Sequence, residues 1–88
     1  MAVLAFPSPD LTPDDETAIV AMLLRGGDYC CRRETMEGGR PAIALLNGKH
    51  QLRGHVIKRH GVYAILDPRG YAVLRTRQLA DVLAALAR

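Results

Sequence analysis

The chain has 88 residues, 49% of them hydrophobic and 24% charged, and only four aromatics: Phe6, Tyr29, Tyr63 and Tyr71. That is one domain with one modest aliphatic core, and its longest apolar run, Ala18 to Leu24, is far too short to span a bilayer. The net charge of +3 hides a division: residues 1–28 carry −4 and residues 29–88 carry +7, which directs the second part toward an anionic partner.

Residues 1–11 read as an extended arm, because Pro7 and Pro9 discourage regular structure. The opening MAVLAFPSPD has no basic region ahead of its apolar stretch, so no export signal is expected. The expected location is cytoplasmic, where Cys30 and Cys31 stay reduced. Residues 12–88 are expected to form a single small α+β domain.

LTPDDETAIVAMLLRGG predicts a helix. Thr12 is its N-cap, Asp15 completes a box-like pair and Pro13 occupies the first turn. Asp14, Asp15 and Glu16 suit the positive end of the dipole. Ile19, Met22 and Leu23 form the buried stripe, widened by Val20 and Leu24, and Gly26 ends the helix.

The middle predicts an antiparallel meander of four to five strands. Tyr29 to Thr35 is the first strand, closed by Glu37-Gly38-Gly39. Asn47-Gly48 predicts a two-residue type I′ hairpin, which would pair Leu45 with His50 and Ile43 with Leu52. His60-Gly61 makes the next turn and would set Val56 opposite Ile65. Asp67-Pro68-Arg69-Gly70 predicts a type I turn with a bulge, and Ile65 would then oppose Val73. One face collects Ile43, Leu45, Leu52, Val56, Ile65 and Val73, and is assigned to the helices. Arg53, His55, Arg59, Leu66 and Leu74 fall on the other. TRQLADVLAALAR predicts a closing helix, with Thr76 as a cap and Leu79, Val82, Leu83 and Leu86 on one face.

Several chemistries lack support. On an extended strand His50 and His60 stand roughly 33 Å apart, and a bulge at Gly54 still leaves neighbouring histidines roughly 16 Å apart. No metal site and no cofactor are expected. Ser8 has no nucleophile-elbow context, and no glycine pair leads into a phosphate loop. A thiolate at Cys30 or Cys31, activated by Arg32 and Arg33, is a distant third reading behind two binding functions. No enzyme is expected.

What remains is the basic stretch KHQLRGHVIKRH, residues 49–60, which contains no acid. The leading expectation is a small binding module that engages nucleic acid or another polyanion by electrostatic docking on the sheet. Arg53, Lys58 and Arg59 carry the charge, His55 adds a hydrogen bond, and Lys49, Arg32 and Arg33 extend the surface, with Arg40 nearby. Tyr63 beside Arg75 offers a single stacking platform. The alternative is an interaction or regulatory adaptor, a homodimer joined through the apolar sheet face at Leu46, Leu66 and Leu74.

Overall fold

The computed structural model describes residues 10–26 and 29–87. Most of the expected arm lies outside that range; of it, Leu11 is buried and joins the core. The first helix, α1, spans Pro13–Gly26. The Thr12 amide donates to Asp15 Oδ2 and the Asp15 amide donates to Thr12 Oγ1, both at 3.1 Å. This reciprocal pair satisfies two amides that helix geometry leaves without partners. Ile19 and Leu23 are fully buried, but Leu24 points outward at 69% exposure. Asp15, one turn before Ile19, takes a place on the buried face instead. Gly26 is the last helical residue, and residues 27–28 lie outside the described range.

Five antiparallel strands follow in sequential order: β1 (Tyr29–Met36), β2 (Arg40–Asn47), β3 (Leu52–Arg59), β4 (Val62–Leu66) and β5 (Ala72–Thr76). The second helix, α2, spans Leu79–Leu86. The fold is the expected α+β meander between two helices. Thr76 ends β5 rather than capping α2 directly; its hydroxyl accepts the Gln78 amide and donates to Asp81, holding the strand-to-helix corner. Among the described residues no helix is long and apolar enough to cross a membrane.

The turn at Asn47 differs from the expected type I′. The His50 amide donates to the Asn47 carbonyl, the Asn47 amide donates to Gln51, and His50 takes the left-handed position with φ 60°. Asn47 Oδ1 accepts the amides of Lys49 and Gln51. The loop is therefore Gly48-Lys49-His50, a type I turn closed by a left-handed residue. The second hairpin repeats this twenty positions later: Gly70 donates to the Asp67 carbonyl, Asp67 donates to Tyr71, and Asp67 Oδ1 accepts Arg69 and Tyr71. An Asn or Asp side chain that gathers two following amides favours this turn at its first position. That preference displaces Asn47 from the corner of the tighter turn.

The likeness extends into the strands. Leu46 pairs with Leu52 and Leu45 with Gly54, so Arg53 is an extra residue. Leu66 pairs with Ala72 and Ile65 with Leu74, so Val73 is the equivalent extra residue. Each bulge reverses the face of what precedes or follows it. Leu52, Arg53 and Leu74 consequently change sides from the expected register, and Val73 becomes the unpaired bulge residue. Val73 is 67% exposed, while Leu74 packs on the core. The His60-Gly61 turn and the Val56–Ile65 pair agree with the expected register.

Both helices lie on one face. Ile19, Leu23 and Val82 meet Ile43, Leu45, Val56, Tyr63 and Ile65 there, with Leu74, Leu79 and Leu83 packed around them. Among the described residues the other face carries no helix. Leu74→Lys is expected to destabilise the domain by about 2 kcal/mol, since it drives an ammonium into the helix contact, whereas Val73→Lys should stay within about 0.5 kcal/mol. Urea unfolding of the two variants reads this directly; equal effects would contradict the bulge at Val73.

Candidate functional site

The seven cationic and histidine positions expected to form one docking surface are distributed over three places. Lys58 shares its face with Val56 and is only 7% exposed. Its Nζ lies 3.8 Å from Asp15 Oδ2 and 4.6 Å from the centroid of the Tyr63 ring. The Tyr63 hydroxyl donates to Asp15 Oδ1 at 2.8 Å. Lys58 thus pins the start of α1 to β3 and β4, and is removed from the docking surface. Tyr63 is 5% exposed and faces the helices, so it forms no platform with Arg75, which points to the opposite side.

Burial pushes the Asp15 carboxyl upward, but the Thr12 amide, the Tyr63 hydroxyl, the Lys58 ammonium and the Thr12 hydroxyl outweigh it, leaving a net downward shift. Tyr63 is pushed up to about 12 by burial, by its hydrogen bond to Asp15 and by that carboxylate's charge.

Arg33 also faces the helices, where its Nε lies 3.2 Å from Glu16 Oε2. Arg53, displaced by its bulge, lies beside Val73 over a gap of about 360 Å³ between the hairpins and the end of α2. Lys49 is exposed on the first hairpin loop.

On the helix-free face Glu34 gathers two of the expected residues. Arg32 Nη2 donates to Glu34 Oε2 at 2.8 Å, and His55 Nε2 lies 2.7 Å from Glu34 Oε1. Hydrogen bonds from Arg32 and His55 hold the Glu34 carboxyl below its usual range, against a small opposing effect of burial. Arg59 alone of the original set stands exposed on this face without an ion pair among the described residues.

Arg40, named from the sequence as a neighbour of that set, and Arg75, from outside it, complete the surface. Arg40 pairs with Met36, and Arg75 pairs with Ala64, which puts both on the helix-free face with Arg32 and Arg59. Four arginines from β1, β2, β3 and β5 therefore share a face on which Glu34 is the strands' single carboxylate. Strand parity marks Arg40 and Arg75 once the bulges are placed; without them Arg75 keeps the wrong neighbours.

Between Arg59 and Arg75 the sheet forms a groove of about 570 Å³. Ile57, Val62, Ala64, Leu66 and Ala72 form its floor. Arg59 and His60 stand at the end nearest the His60-Gly61 turn, and Arg75 flanks Ala64 on the neighbouring strand. Of the three apolar interface positions expected, Leu66 lies in this groove, Leu46 is already 7% exposed beneath its neighbours, and Leu74 belongs to the helix side.

Among the described residues no group of three histidine, cysteine or acidic side chains converges as metal ligands would. Burial and the adjacent Cys30 push the Cys31 thiol upward, outweighing Arg33, which is the opposite of what the third reading, a thiolate there, requires. No protein-family model, curated protein or solved structure matches this chain.

Proposed function

We propose that this domain is a small non-enzymatic binding module that docks nucleic acid, or a polyanion of similar spacing, on the helix-free face of its sheet. The observation that carries the reading is the placement of Arg32, Arg40, Arg59 and Arg75 on one face with Glu34 as its counter-charge. Arginine presents a fixed fork of donors that matches phosphate oxygens. Among the described residues no phenylalanine or tyrosine lines the groove, so the contacts position a backbone more than they read bases.

The same charge weighs against a homodimer through this face. A two-fold contact would set four arginines of one copy against four of the other, and like charges across an interface are repulsive. The apolar contribution is small as well, because Ala42, Ala44 and Leu46 are buried within the single copy.

Fluorescence anisotropy with a labelled mixed-sequence oligonucleotide tests the reading. Binding should weaken steeply as salt rises. Arg59→Glu with Arg75→Glu should reduce affinity at least tenfold. Arg53→Glu, on the opposite side of the sheet, removes the same charge per substitution and should change affinity much less. Equal losses for Arg53→Glu and for each groove arginine would reduce the effect to net charge and overturn the assignment of the face.

A further inference from the structure

We infer that the groove selects single-stranded over duplex nucleic acid; this rests on the polyanion reading above and specifies its partner. The groove is polarised along the strands. Arg59 stands at the end nearest the His60-Gly61 turn, Arg75 lies level with Ala64, and the floor toward the other end is Leu66 and Ala72. A ligand that fills it has an anionic group joined to a flat or apolar body.

A nucleotide of an unpaired strand has that form. Its phosphate meets the arginines, and its base lays a face on the apolar floor while its polar edge stays wet. A duplex offers only the phosphates. Its base faces are already stacked inside the helix, so docking it would strip water from Leu66 and Ala72 and return no contact to them. Guanidinium planes can also stack on exposed bases, which Arg59 and Arg75 are placed to do along the groove. The groove volume of about 570 Å³ limits the seated segment to a short stretch. The remaining strand runs over Arg40 and Arg32 toward β1.

The experiment compares a twelve-nucleotide deoxythymidine strand with a mixed-sequence twelve-base-pair duplex, by anisotropy on the full chain at one salt concentration. The strand should bind at least tenfold more tightly. Ala72→Gln, a neutral substitution on a short edge strand, fills the floor and leaves every charge in place. It should weaken strand binding at least fivefold and leave duplex binding unchanged, with circular dichroism confirming the fold. Equal or tighter duplex binding, or strand binding indifferent to Ala72→Gln, overturns selection by the floor while leaving the arginine face standing. Binding of neither at low salt overturns both.

Discussion

Gly54→Ala is expected to destabilise the domain by about 3 kcal/mol or more, enough to abolish a cooperative unfolding transition in a chain this small. Gly54 has φ 151°, outside the range that L side chains ordinarily adopt, and it is buried immediately after the Arg53 bulge. A Cβ built there would fall onto the carbonyl oxygen of Leu66 and crowd the Leu66 carbonyl carbon at 3.3 Å. Both neighbours are backbone of β4, so relief requires moving a strand. Gly70 is the comparison: its φ is 93°, but a Cβ there meets nothing within 4 Å. Gly70→Ala should therefore cost only the conformational penalty of about 1–2 kcal/mol. Denaturant melts of the pair separate close approach from backbone preference, and equal losses would contradict the packing of Gly54 against β4.

The second large effect lies in the cluster of Asp15, Lys58 and Tyr63. Asp15→Ala removes the charge facing a Lys58 that is 7% exposed, the acceptor of the Tyr63 hydroxyl and one arm of the helix cap. Breaking a buried pair from one side typically costs about 3–5 kcal/mol. Lys58→Met should cost far less, within about 1 kcal/mol. Asp15 would keep the Thr12 amide and the Tyr63 hydroxyl, and the methionine would occupy the stem's place against the Tyr63 ring. A reversed order of these two effects, measured by urea unfolding, would contradict the cluster.

The same groups set the pH limits of stability. The Asp15 carboxyl titrates below its ordinary value of 3.8 in the folded chain, so its contribution is present above that value and is lost as pH falls through the folded value. Tyr63 titrates near 12 when folded and at 10.0 when unfolded, so its contribution is complete below pH 10 and is lost as pH climbs toward 12. Tyr63→Phe should flatten the alkaline limb of a stability profile and leave Glu34's share of the acid limb intact. An unchanged alkaline limb would remove Tyr63 from that role.

Local signals carried much of the architecture. Thr12, Pro13 and Asp15 state a helix start in adjacent residues, and Asp67-Pro68-Arg69-Gly70 states its own turn, so neither depends on distant contacts. The register depended on two bulges, and these are tertiary features. Gly54 inside an otherwise regular strand was one visible sign. The other was the repeat itself: Ala44-Leu45-Leu46-Asn47 has the same pattern as Ala64-Ile65-Leu66-Asp67, and the turn and bulge follow each at the same distance. The second hairpin, whose turn chemistry is explicit, thus identifies the turn of the first.

The surface was less legible than the fold. Lys58 looks like one more cation in a basic stretch, and only its parity with Val56 hints that it turns inward. Its partner, Asp15, comes from an element 43 positions earlier and already has a sufficient local role as a capping acid. Arg33 and His55 are likewise paired through tertiary contacts, with Glu16 and Glu34, while Arg32 meets Glu34 two positions along its own strand. The arginines that do gather, Arg40, Arg59 and Arg75, are spread over three strands and become neighbours only through the sheet.

A nitrogen-15 correlation spectrum recorded during titration with the twelve-nucleotide strand at low salt reports most directly on where the partner sits. Shifts should concentrate on Arg59, Val62, Ala64, Leu66, Ala72 and Arg75, with Arg53 and the residues of α1 and α2 almost unmoved. Shifts gathered around Arg53 and the helices, or a spectrum that does not respond, would contradict the placement of the binding face.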